Sequence, residues 1–210
     1  EITTRLVGSE MCIRDSYNRR SIYSRFSFDT MIFEDEFTVP VDLYGTYIDD
    51  NTVYNQIEQL ITDTDEPLYL HATTMQNHQP YNQGTGATEF DNYLQWVKHS
   101  SDGLADFIDR LSKLDEPTIV LFIGDHFPSL RGEDGIYAQL GITSENCSTL
   151  YEQKYVMWNN FGLDMTKVQP KEEVSVFYLP YVMMQEVGMP KDSFTPVSYT
   201  HLRAHETRSN

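Results

Sequence analysis

Apolar residues recur along this chain at spacings that separate helix from strand. Val53, Ile57, Leu60 and Ile61 fall three and four residues apart, the period of one helical face. Asp49, Asp50 and Asn51 stand ahead of them, side chains suited to the open N–H groups of a helix start. The pattern predicts a helix over 51–61, broken at 63–67. Residues 68–75, LYLHATTM, are β-prone and lie between Pro67 and the polar stretch 76–80, which predicts a short buried strand. Phe90, Tyr93, Leu94 and Val97, then Leu104, Phe107, Ile108 and Leu111, make one longer helical stripe. Its polar and glycine-bearing middle, 100–103, predicts an interruption. After Pro117 the run TIVLFI (118–123) is continuously apolar, the pattern of a parallel strand covered on both faces. A further strand is predicted over 155–158, and a helix over 175–187 closed by Gly188. Strand, helix and strand in alternation indicate an α/β domain with a mainly parallel sheet flanked by helices.

The ends show no such period, and they share a coding peculiarity. Residues 6–15, LVGSEMCIRD, can be encoded by a DNA stretch whose reverse complement encodes VSYTHLRAHE, the sequence of 197–206. Two unrelated decapeptides almost never have this property, so residues 1–16 and 197–210 read as translated sequencing adapter, to be left out of fold reasoning. The native polypeptide is then 17–196, an internal piece of a longer protein. On this reading deletion of both ends leaves the melting temperature unchanged.

Composition narrows the functions. The full chain has a net charge of −17, and the two ends carry four acids and four bases between them, so 17–196 keeps the same balance. Nucleic-acid binding needs clustered Lys and Arg to neutralise phosphate, and an acidic chain of this kind argues against it. Within 17–196 only Cys147 is a cysteine, so no internal disulfide forms. The longest apolar runs, 118–123 and 176–184, fall well short of the roughly 18 residues that cross a bilayer.

Three groups of residues carry candidate chemistry. Gly124-Asp125-His126 follows the apolar strand directly, and ligand sites in open α/β sheets lie beyond the carboxyl ends of strands. A regular strand sends neighbours to opposite faces, but Gly124 permits a turn that brings Asp125 and His126 to one cation. A carboxylate beside an imidazole suits Mn²⁺, Mg²⁺ or Zn²⁺; a turn and cap is the plain alternative. Asn77-His78-Gln79-Pro80-Tyr81 follows the strand over 68–75 in the same way, so His78 and Asp125 are expected on one edge of one sheet. His71, inside that strand, reads as a core histidine, and His99, on a helix, as a solvated one. At Tyr17-Asn18-Arg19-Arg20, a guanidinium can grip a phosphate or sulfate in bidentate fashion.

Together these motifs and their order resemble the lipoteichoic acid synthase family, sulfatase-like phosphoglycerol transferases of the alkaline phosphatase superfamily. The resemblance rests on Tyr17 to Arg19 with Tyr23 and Phe26-Ser27-Phe28-Asp29. It continues through the stretch from Thr74 to Tyr81, the helix with Tyr93-Leu94, Ser101-Asp102 and Leu104, Gly124-Asp125-His126, and Trp158-Asn159-Asn160-Phe161. It implies part of an alkaline phosphatase-like domain in which Asp125 and His126 are metal ligands for Mn²⁺ or Mg²⁺, ahead of Zn²⁺. His78 and Arg19, with Tyr17 beside them, would contact the substrate phosphate. In the family a Glu and a Thr nucleophile complete the site, and both precede the aromatic-Asn-Arg segment, outside this chain. The implied reaction passes phosphoglycerol from phosphatidylglycerol, through a threonine, to a growing polyol-phosphate chain of the cell envelope. The implied place is the extracytoplasmic face of the membrane, with anchoring by an N-terminal region. The chain alone would then be inactive. Ser27 stands where Gly is usual, and Phe127-Pro128-Ser129 stand where many members have Tyr-Gly. A sulfatase, a phosphoethanolamine transferase and a non-catalytic acidic binding domain are the alternative readings.

Overall fold

The computed structural model describes residues 3–8, 23–26, 28–130, 135–165 and 174–188. Tyr17, Arg19, Ser27 and the tail 197–210 lie outside the described residues. The chain forms two compact units, Glu1–Glu116 with His126–Tyr151, and Pro117–Asp125 with Glu152–Asn210.

In the first unit, β1 (Thr3–Gly8), β2 (Thr30–Ile32) and β5 (Leu68–Thr73) make a parallel sheet in the order β2-β1-β5. β3 (Leu43–Tyr44) and β4 (Tyr47–Ile48) form an antiparallel hairpin turned by Gly45 at φ 64°. The helix α1 spans Asp50–Thr62, one residue longer at each end than predicted, and Asp49 caps it by accepting the Asn51 N–H. Its apolar face does what the spacing requires. Val53 and Leu60 pack with Ile48, and Ile32, Ile57, Leu68 and Leu70 close around them. Each fully buried aliphatic side chain of this kind stabilises the fold by about 1.5–3 kcal/mol.

The strand β5 differs from the expected buried strand. Leu68 and Leu70 turn to the α1 side while Tyr69 and His71 alternate outward and stay exposed, the period-two pattern of a strand covered on one face. Nor do the first residues stand apart from the fold. Thr3–Gly8 is the middle strand, paired with β2 from Arg5 to Val7 and with β5 along its whole length. A β-prone segment satisfies its own backbone groups and those of the facing strands by pairing there, whatever the origin of its codons.

The helix α2 (Glu89–Leu111) runs unbroken for 23 residues from a Thr88 cap, so the predicted interruption at 100–103 is absent. Its buried stripe is Asn92, Trp96, Ser100, Gly103, Phe107 and Leu111, rotated from the purely apolar one, while Leu94 is exposed. The polar members earn burial by hydrogen bonds. Asn92 Nδ2 donates to the Tyr81 carbonyl at 2.9 Å, Asn92 Oδ1 accepts the Gly86 N–H at 2.8 Å, and Ser100 Oγ donates to Asp50. Gly103 is a contact point: a Cβ there would sit 2.5 Å from Asn51 Oδ1, so its bareness lets α1 approach. Tyr54 and Phe107 stack across the same pair at 4.9 Å.

In the second unit, β6 (Ile119–Ile123) pairs antiparallel with β7 (Tyr155–Asn159), Ile119 opposite Asn159 and Ile123 opposite Tyr155. The parallel partners expected for β6 are not found among the described residues, where Phe122 and Ile123 are each 38% exposed. The Trp158–Phe161 stretch closes the far end of this ribbon. Asn160 Oδ1 accepts the Thr118 N–H at 2.7 Å, and Asn159 Oδ1 accepts the N–H groups of Phe161 and Leu163. The short α3 (Ile136–Gln139) belongs to the first unit, and α4 (Leu179–Glu186), entered through a 3₁₀ turn at Val176–Tyr178, to the second.

Candidate functional site

His78 follows β5 in a turn closed by its own N–H on the Met75 carbonyl at 2.9 Å. Its ring does not hang in solvent. Nδ1 lies 2.6 Å from the Gln79 carbonyl and 3.1 Å from the Tyr47 hydroxyl, and that hydroxyl donates to the same carbonyl at 2.7 Å. Tyr47 is buried in an aromatic cluster with Tyr81, Trp96 and Leu130, and it meets the His78 ring edge-on at 5.7 Å. Tyr81 is tied in turn, its hydroxyl donating to the Asn77 carbonyl at 2.8 Å. The histidine therefore stands on a rigid aromatic floor.

The segment after Gly-Asp-His rests on the same floor. Leu130 is one of the four buried members of the cluster, and the Tyr137 hydroxyl donates to the Pro128 carbonyl at 2.6 Å. A cavity of about 290 Å³ is lined by His78, Gln79, Pro80, Tyr81, Glu89 and Ser129. The loop carrying His78 and the loop that begins at His126 thus share one hollow within the first unit. This common hollow stands in place of the single sheet edge predicted for them, because β5 and β6 lie in separate sheets.

Gly124, Asp125 and His126 follow β6 as predicted, and both side chains of the motif are exposed. Gly124 does not turn the chain by a left-handed φ. Its N–H continues the ribbon to the Lys154 carbonyl at 3.4 Å, and a Cβ would stand 2.9 Å from Gln153 Oε1. Its role is to make room. Asp125 is the last residue of its segment in the second unit, and His126 the first of its segment in the first unit.

Two histidines take other parts than their sequence context suggests. His71 is exposed, near Tyr23 at 6.0 Å and Phe28 at 6.5 Å between ring centres. His99 is bound, not solvated: its Nε2 lies 2.7 Å from Asp49 Oδ2, and Tyr44 stacks on its ring at 4.2 Å. It steadies the residue that caps α1. Sequence reasoning also passed over Tyr47, for which a lone tyrosine in a two-residue strand offers no signal.

The sequence model of the Sulfatase family matches residues 12–189. The chain belongs to the sulfatase family. Among relatives of this sulfatase-family chain, a Rhizobium meliloti (strain 1021) protein named for cyclic beta-1,2-glucan modification is 26% identical over 205 residues, 85% of this chain and 31% of that protein. The lipoteichoic acid synthase of Staphylococcus saprophyticus is 22% identical over 124 residues, 53% of this chain and 19% of that protein. Among solved structures, the Streptococcus pyogenes phosphoglycerol transferase GacH in complex with sn-glycerol-1-phosphate aligns with a TM-score of 0.63 at 19% identity, covering 95% of this chain and 59% of that one. An alkaline phosphatase superfamily protein from Vibrio parahaemolyticus aligns at 0.62 with 17% identity, covering 90% and 45%. At such identities the likeness shows the fold, part of an alkaline phosphatase-like α/β domain. The chain spans about a third of the first of these relatives and a fifth of the second.

Among the described residues of this sulfatase-family chain, no three His, Cys, Asp or Glu side chains gather as a metal site would require. The donor chemistry at the motif nevertheless fits a divalent cation. His126 Nδ1 lies 2.8 Å from the Phe127 carbonyl, and a carbonyl only accepts, so Nδ1 is the donor of that contact. An imidazole held in this way by its other nitrogen is the usual form of a metal-ligating histidine, and the Asp125 carboxylate adds the hard, anionic oxygen.

Proposed function

We infer that this chain supplies the phosphate-binding side, and two of the metal ligands, of a metal-dependent phosphoglycerol transferase acting on phosphatidylglycerol-type phosphodiesters. The observation that supports it most is the shared cavity: in a sulfatase-family chain, a fixed histidine and the loop leading from Gly-Asp-His open on one hollow. His78 would direct Nε2 to a phosphoryl oxygen, and Arg19 would add the bidentate grip of a guanidinium, with Tyr17 beside it. Asp125 and His126 would hold Mn²⁺ or Mg²⁺. A cation there activates a hydroxyl nucleophile and takes up charge on the phosphoryl oxygens. The likeness to proteins named lipoteichoic acid synthase and phosphoglycerol transferase favours a phosphodiester over a sulfate ester. The nucleophile and the remaining ligands are assigned to a preceding part of the whole protein. Membrane anchoring at the extracytoplasmic face belongs to the same reading; no helix among the described residues is long and apolar enough to cross a membrane.

The test uses the whole protein. Asp125→Asn keeps the shape of the side chain and removes its charge, and turnover of a phosphatidylglycerol analogue should fall by more than the roughly 10–100-fold typical of residues that only orient metal ligands. Titration calorimetry with Mn²⁺ should show weakened binding in the same variant. Wild-type turnover in Asp125→Asn would refute the assignment, and turnover of an aryl sulfate alone would make the protein a sulfatase.

A further inference from the structure

The distances around His78 decide which of its nitrogens carries the proton. The Gln79 carbonyl can only accept, and at 2.6 Å a bare Nδ1 would set two lone pairs against each other. Nδ1 is therefore the protonated nitrogen. The Tyr47 hydroxyl donates to the same carbonyl at 2.7 Å, so its oxygen, 3.1 Å from Nδ1, is left as an acceptor facing the Nδ1 proton. A second acceptor and an edge-on ring together hold the imidazole in one orientation and one tautomer. Tyr47 is able to do this because its own ring is 9% exposed, packed in the cluster with Tyr81, Trp96 and Leu130.

We propose that Tyr47 is the positioning residue of the phosphate-binding histidine, holding His78 with Nδ1–H on the Gln79 carbonyl so that Nε2 is the atom offered to substrate. The proposal rests on the reading of His78 given above, and it adds a residue that does not itself touch substrate. With Nδ1 committed, Nε2 donates a hydrogen bond to a phosphoryl oxygen only when the ring is an imidazolium, so the neutral ring contributes no donor. The other titratable side chains at the cavity are Tyr81, whose hydroxyl is engaged with the Asn77 carbonyl, and Glu89 in the first turn of α2.

Two measurements test it. Two-bond proton–nitrogen correlation spectra of the 210-residue chain, taken with His78 neutral, should show Nδ1 protonated and Nε2 bare. Finding the proton on Nε2 overturns the proposal whatever any variant does. In the whole protein, Tyr47→Phe should lower kcat/KM for the phosphatidylglycerol analogue by about tenfold, the low end of the loss seen when an orienting partner is removed, and the same spectra of that variant should show both tautomers. If His78→Gln is also impaired, the result supports both readings. If His78→Gln is fully active, the phosphate-binding role of His78 fails, and with it the proposal that Tyr47 serves that role. If His78→Gln is impaired while Tyr47→Phe keeps the wild-type tautomer and kcat/KM, the positioning role alone is wrong.

Discussion

Two consecutive aspartates at the start of α1 take opposite parts. Asp49 accepts the first open N–H of the helix and is joined by His99, which makes it a charged cap. Asp50 is 1% exposed, its carboxylate reached by the Ser100 hydroxyl and its backbone N–H satisfied by Gln76 Oε1 at 2.9 Å. Burial raises its pKa above the ordinary 3.8, and the hydrogen bonds from Ser100 and Thr74 offset that only in part. With the folded value above the unfolded one, the native chain holds this proton more tightly. The stability so contributed is fully present below pH 3.8 and is lost as pH rises through the folded value. Asp50→Asn is nearly isosteric and cannot ionise. Urea melts of both proteins at intervals from pH 4 to pH 7 should therefore show the balance moving steadily toward the variant as pH rises. A difference between them that stays constant would mean that Asp50 titrates normally.

The elements owe their places to contacts that their own sequences do not announce. Gly103 reads as a helix breaker, and in a solvated helix it costs about 1 kcal/mol against alanine, yet here it is the point where α2 comes against Asn51 of α1. The central position of β1 has a testable consequence. Removing residues 1–8 strips β2 and β5 of their common partner and leaves backbone groups on both without a strand to pair with. The truncated chain should lose more than about 1 kcal/mol, the size of an ordinary destabilising mutation, read as a lower urea midpoint. An unchanged midpoint would restore the expectation that this end takes no part in folding.

Across the whole molecule the governing quantity is charge. A net −17 over 210 residues means that compaction works against self-repulsion, and mobile ions weaken that repulsion because the screening length shrinks to a few ångströms near 1 M salt. The melting temperature should rise by a few degrees between about 20 mM and 500 mM NaCl. Chloride is the salt to use, since sulfate would strengthen apolar burial independently. A flat or falling profile would show that specific surface ion pairs, such as Lys98 with Asp102 and Lys113 with Asp109, outweigh the general repulsion.

The sequence by itself determined what is local. The periods of α1 and α2, the Asp49 cap, the strands β5, β6 and β7, and the placing of His78 and Asp125-His126 just past strands were all legible, because each depends on residues within a turn or two of one another. Tertiary structure decided the partners. An apolar run such as 119–123 states that a strand prefers cover but not which strand it meets or in which direction, and β6 meets β7 antiparallel. His99 reaches Asp49 across 50 residues and Tyr47 reaches His78 across 31. No periodicity carries information over such separations. What brings those groups together is the packing of α1 on α2 and of the β3–β4 hairpin on the aromatic cluster, and that packing turns a loop histidine into one with a fixed tautomer.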